Sequence, residues 1–250
     1  MSKSSHLADA QGLFGPLAVE ADKSSPAAYG ADGHRARMRD RLLRAGAEAL
    51  ADYELLEMLL FLALPRRDTK PIARALLTQF RSFAGAIAAP PQELRDIEGL
   101  GEAGIAALKT AQAAAIRLVR AEVMDQPILA TWDRIIDYLM AMLARERVEH
   151  FRVLFLDTKN RLVADEPQSR GTVNLTSVYP REVVRRALEL NASAIILVHN
   201  HPSGNPTPSR QDIEMTQAVH KAAAALSIGL YDHIIIGNGQ WASLRKLELF

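Results

Sequence analysis

The stretch 199-HNHPSGNPTPSRQD-212 places two histidines one residue apart, then a proline-rich loop, then a serine and an aspartate three residues apart. The apolar run before it, 194-AIILV-198, suits a strand covered on both faces. With an extended backbone continuing through His199 and His201, the period of two points both imidazoles to the same side of the sheet. Pro202, Gly204, Pro206 and Pro208 end the strand, and 213-IEMTQAVHKAAAAL-226 reads as a helix opened by 209-SRQD-212. Asp212 then lies in the first helical turn, within reach of the strand end. Two histidines and one carboxylate, in a chain without cysteine, form a ligand set suited to zinc that leaves a fourth tetrahedral position for water. A plainer reading stands beside this one: Ser209 and Asp212 fit a capping box, and either histidine alone would be an ordinary strand-end residue. The metal reading rests on the whole set in its strand and helix context.

Hydrolysis at such a centre also needs a group to take a proton from water and pass it on. On the predicted strand 161-RLVADE-166, alternation sends Leu162, Ala164 and Glu166 to one face and Arg161, Val163 and Asp165 to the other. Both carboxylates are candidates, and residue pattern alone does not choose between them. His233, in 230-LYDHIIIG-237, reads either as a hydrogen-bonded core histidine or as a partner orienting a ligand. His220 falls on the polar side of a helix and carries no role.

The elements that must hold these residues follow from periodicity. Residues 1–33 show no sustained period and read as a disordered leader. The segments 34–47, 52–64, 70–80 and 97–121 are apolar at helical spacing and predict a small all-α domain over 34–126, with 123-VMDQPI-128 as a linker. A helix at 132–146 precedes the strand 151-FRVLFLD-157, a turn at 158-TKN-160 and the strand 161–166, then a helix at 180–191 that opens on proline and closes on asparagine. Strands interleaved with two helices predict an α/β sandwich with a mixed sheet over 128–250. Hydrophobic residues make up 48% of the 250, enough for ordinary cores. No apolar run reaches the ~20 residues that span a bilayer, so no membrane partner is expected. Without an export signal or cysteine, the cytoplasm is the expected compartment.

The turn 97-IEGLGEAG-104 resembles a helix-hairpin-helix, in which Gly99 and Gly101 would let backbone amides approach a DNA phosphate; such turns also simply join helices. Residues 1–127 hold 16 Lys or Arg against 16 Asp or Glu, so any DNA contact is expected to be weak and non-specific. Local basic clusters remain, from Arg35 to Arg44 and at Arg66, Arg67 and Lys70.

From about residue 34 onward, and most specifically in FRVLFLDTKNRLVADE, YPREVVRRALELNASAIILVHNHPSG, PTPSRQD and LYDHIIIG, the chain resembles the RadC family. The C-terminal half of that family has the JAMM/MPN metalloprotease-like fold, similar to cytidine deaminases. The resemblance implies that His199, His201 and Asp212 bind one Zn2+ per chain, that Glu166 activates the zinc-held water, and that Ser209 hydrogen-bonds a developing oxyanion. It departs at Asn205, where relatives often carry aspartate, and at Pro167. The implied function is a metallopeptidase or isopeptidase acting on an unidentified peptide or protein. The alternatives are a metal-dependent DNA-repair factor or nuclease, and a non-catalytic DNA-binding scaffold.

Overall fold

The computed structural model describes residues 31–170 and 178–250. Most of the expected leader lies outside them, but helix α1 (Ala31–Ala45) already begins within its last residues. Helices α2 (Asp52–Ala63), α3 (Lys70–Phe80), α4 (Phe83–Ala88), α5 (Pro91–Leu94) and α6 (Gly101–Val123) follow. Leu56 and Leu60 on α2, Ile72 and Leu76 on α3, and Ile105 and Leu108 on α6 meet in one buried cluster. Their i, i+3 and i+4 spacings put one apolar stripe of each helix inward.

The second part is built on a five-stranded sheet in the order β2-β1-β3-β4-β5. Its strands are β1 (His150–Leu156), β2 (Leu162–Arg170), β3 (Ala194–Asn200), β4 (Gly229–Ile236) and β5 (Trp241–Ser243). Helix α7 (Trp132–Leu143) covers one face, packing Ile135, Tyr138 and Leu139 on Leu154, Ile196 and Ile234. Helices α8 (Pro180–Glu189) and α9 (Arg210–Ala224) cover the other, packing Val183, Val184, Val219 and Ala223 on Val153, Phe155 and Leu197. This is the mixed-sheet α/β architecture the sequence predicts, preceded by the helical part. Strand β2 runs on through Pro167 instead of ending at Glu166; it is an edge strand, where a missing N–H is tolerated.

The pairing β3 to β4 is parallel, and the other pairings are antiparallel. A parallel pair needs a crossover, which α9 supplies. The helix must therefore start near the C-terminal end of β3, where the two histidines lie, and run back toward the start of β4.

The segment 123–128 is not a flexible linker. Val123 and Ile128 are fully buried, Asp125 N–H bonds the Leu162 carbonyl, and Ile128 N–H bonds the Asn160 carbonyl. Helix α6 itself serves both parts: Ile105 and Leu108 belong to the helical core, while Ile116, Val119 and Val123 pack into the core beneath α7.

Register separates the two carboxylates of β2. Glu166 pairs with Val153 on the α8 face, whereas Asp165 pairs with Leu154 on the α7 face. There Asp165 is buried, accepts a hydrogen bond from Tyr138 Oη and meets Arg152 Nε at 2.8 Å. Burial, then the charge of Asp165, pushes the Tyr138 phenol well above its ordinary range. Asp165→Ala is expected to cost roughly 3 kcal/mol in denaturant unfolding, since it strands a buried hydroxyl and a guanidinium. Zinc content should stay unchanged; zinc loss in a folded Asp165→Ala protein would assign this face to the site.

Candidate metal centre

The backbone stays extended through His201, whose N–H bonds the Ile236 carbonyl at 2.9 Å, so the period of two holds and both rings fall on the α9 side. Asn200, between them, points the other way. Its side chain accepts from His150 N–H at 2.9 Å and donates to the carbonyls of Glu146 and Val148, fixing the strand end to the α7–β1 loop. The proline-rich loop then folds back tightly: Gly204 sits at φ +82°, and a Cβ at Gly237 would meet the Gly204 carbonyl oxygen at 2.3 Å. This closure presents the Asn205 carbonyl to His201 Nδ1 at 2.8 Å. The Asn205 side chain caps the loop through Thr207, so the asparagine at this position serves as an acceptor within the loop.

His199 Nε2 and His201 Nε2 stand 2.9 Å apart. Asp212 Oδ1 lies 3.2 Å from the first and Oδ2 lies 3.5 Å from the second. Among the described residues these three form the metal-competent group of histidine and carboxylate donors, all within 4.8 Å of one another. A carbonyl only accepts, so His201 Nδ1 carries a proton toward Asn205 and Nε2 is the nitrogen left to the centre, where it would offer a lone pair to a cation or a proton to Asp212. His199 Nδ1 is likewise engaged, at 2.8 Å from His233 Nε2. Electron-rich donors this close repel unless a cation or a proton lies between them. The donor set fits zinc, and His199, His201 and Asp212 are the residues that would hold it.

Electrostatics agree. Burial alone would raise the Asp212 carboxyl, but hydrogen bonds with His199, His201 and Ser209 hold it far below the carboxylate range. The hydrogen bond with Asp212 raises His201 against the opposing effect of burial. Burial and the neighbouring His199 push His233 well down, so that ring is neutral. The sequence offered His233 two readings, core residue or ligand partner; it is fully buried and bonded to His199, an arrangement compatible with both.

Ser209 is the N-cap of α9, and its capping box with Asp212 is complete. Its N–H and Oγ donate to Asp212 Oδ2 at 2.7 and 2.6 Å, while Oγ accepts from Asp212 N–H at 3.2 Å. The cap and the ligand readings of Asp212 are therefore compatible: Oδ2 takes the bonds of the helix end while lying 3.5 Å from His201, and Oδ1 faces His199. The Ser209 hydroxyl proton is spent on Asp212 in this arrangement.

Glu166 shares the sheet face of His199 but is not gathered with the three donors. Its carboxylate is gripped by Arg186 of α8 through two hydrogen bonds, at 2.7 Å from Nε and 2.6 Å from Nη2. That bidentate pairing, chiefly through its hydrogen bonds, lowers the Glu166 carboxyl and raises the guanidinium. Nothing in the sequence pattern pointed to Arg186, because the pair joins a strand to a helix across an intervening segment.

Gly99 and Gly101 lie in the other part of the molecule, at φ +81° and +59°, where α6 begins. The Gly99 carbonyl accepts from Arg67 Nη1 at 2.8 Å. Several of the nearby basic groups are committed to the protein. Arg35 bonds the carbonyls of Leu64 and Arg67, and Arg41 and Arg44 pair with Glu54 and Asp40.

Residues 129–249 match the RadC-like JAB domain, and residues 33–106 match the UPF0758 N-terminal domain. A UPF0758 protein of Rhodobacter capsulatus is 56% identical over 208 residues, covering 83% of this chain and 97% of that relative. A UPF0758 protein of Ruegeria pomeroyi is 52% identical over 212 residues, covering 85% and 95%. Both domain matches and both relatives agree: the chain belongs to the RadC-like UPF0758 family.

Proposed function

We propose that this protein is a zinc-dependent hydrolase of peptide or isopeptide bonds. The observation that carries the reading is the convergence of His199, His201 and Asp212, with both imidazole Nδ1 atoms occupied so that both Nε2 atoms face the carboxylate. A zinc ion held there would supply Lewis acidity to a substrate carbonyl and make water nucleophilic near neutral pH. The one donor cluster found among the described residues suits attack on a carbonyl better than the two-metal clamp of phosphodiester cleavage. A cleft of about 500 Å³ is lined by Arg81, Arg145, Arg147 and the Pro202–Gly204 turn that follows His201, but by none of the three donors.

Glu166 is the proton acceptor in this scheme, and Arg186 sets its readiness. A carboxylate held in a guanidinium fork is ionised but a poor base. Release of one prong, when substrate enters, would raise its affinity for a proton and free it to turn toward the donors. Ser209 keeps the Asp212 carboxylate in place and would have to give up that bond to serve an oxyanion.

Protein purified without added metal should carry one zinc per chain. His199→Ala and Asp212→Ala should lose it, whereas loss of a helix cap alone would cost only about 1 kcal/mol and leave zinc bound. Stoichiometric zinc in His199→Ala refutes the ligand set. Glu166→Gln should retain zinc yet cleave the best substrate from an unbiased peptide screen about 10²–10⁴-fold more slowly.

A further test reads the Arg186 fork directly. In Arg186→Gln the Glu166 carboxyl, followed by NMR, should titrate higher than in the native protein. Because its folded value is depressed, the pair stabilises above the glutamate range and this contribution fades as pH falls through the lowered value. Unchanged titration would show that the fork does not exist in solution.

A further inference from the structure

Behind His199 lies a buried chain of polar contacts that leads back to the third donor. Thr216 on α9 is fully buried, and its Oγ1 reaches the Asp212 backbone carbonyl one turn earlier. The same oxygen lies 2.6 Å from His233 Nδ1, and His233 Nε2 lies 2.8 Å from His199 Nδ1. Thr216 and His233 are both 0% exposed and His199 is 1% exposed, so water does not substitute for any member.

The direction of the protons follows from what each group can do. A carbonyl has no proton, so the one hydroxyl proton of Thr216 points at Asp212. Thr216 Oγ1 then meets His233 Nδ1 as an acceptor, and Nδ1 must carry hydrogen. The His233 ring is fully buried and its two nitrogens meet only a hydroxyl and an imidazole, so no contacting carboxylate holds a second proton on it and Nε2 accepts from His199 Nδ1. His199 is thereby fixed as the Nδ1–H tautomer, with its Nε2 lone pair aimed at His201 and Asp212. In the reverse order His199 would present N–H to the centre, a form that cannot ligate a metal.

We infer that Thr216 and His233 are positioning residues that lock the tautomer and aim of His199, tying two of the three donors into one closed circuit through α9, β4 and β3. This rests on the zinc reading of His199, His201 and Asp212. The circuit begins on the backbone of one donor and ends on the ring of another, so a shift of α9 reaches both together. A side chain that only filled space at position 216 would need no hydroxyl.

Two measurements on the full-length protein decide it. Zinc affinity, read by competition with a chromophoric chelator, should fall about 10–100-fold in Thr216→Val and stay near native in Thr216→Ser, which keeps the hydroxyl. Equal affinity in native and Thr216→Val proteins, with only the melting temperature lowered, would reduce Thr216 to a packing residue and overturn the inference. Independently, long-range ¹H–¹⁵N imidazole spectra of the metal-free native protein should show His233 as the Nδ1–H tautomer. The Nε2–H tautomer there overturns it even if no variant folds. If the native protein takes up no zinc, the zinc reading fails, while the tautomer still decides the circuit.

Discussion

Three electron-rich atoms, two imidazole nitrogens and a carboxylate oxygen, are forced together at the end of β3, and the rest of the domain is arranged to make that tolerable. Such a cluster is unfavourable unless a positive charge sits within it. Each feature around it serves to keep the donors from relaxing apart. The parallel β3–β4 pair requires α9 as a crossover, and the first turn of that helix, just past the loop that ends β3, holds Asp212 at the histidines. The loop closed by Gly204 and Gly237 supplies a carbonyl that orients His201. Asn200, on the opposite side of the strand, holds the strand end still.

The two neighbouring carboxylates of β2 are held on opposite faces of the sheet and in different ways. Asp165 is sealed beneath α7 by Tyr138 and Arg152, a pairing suited to a permanent role. Glu166, one residue on, is about one-third exposed and meets an Arg186 of similar exposure. Solvent reaches this pair and screens it, whereas the Asp165 pair is shielded, although the bidentate geometry holds both prongs in place. The alternation of a strand thus puts a shielded carboxylate and a screened one side by side in sequence and on opposite sides in space.

What the sequence disclosed and what it concealed follow the same physical line. Features set by short spacing were legible: the H-x-H at a strand end, the S-x-x-D that opens a helix, the assignment of Glu166 and Asp165 to different faces, and the strands of a mixed sheet. Features set by contact between distant elements were not. Arg186 meets Glu166 only once α8 has packed on β2, and Thr216 meets His233 only once α9 and β4 lie together. The stretch 123–128 misled because its Pro and polar residues suggest a spacer, while Val123 and Ile128 insert into a core whose walls come from elsewhere. Ser209 and Asp212 offered two readings because one carboxylate can meet the helix end and the histidines together.

Helix α6 bears on how this family can change over time. It is about 35 Å long at 1.5 Å per residue, and its first turns face one core while its last turns face the other. The two matched regions end at residue 106 and resume at residue 129, so the stretch between them is the one that both cores share. Recombination at 123–128, where the sequence invites a crossover, would bring a foreign set of apolar residues beneath α7. A substitution at Ile116, Val119 or Val123 would therefore disturb the packing beneath α7, and a chain rebuilt from two relatives would keep that packing only if this helix travelled with the sheet it supports.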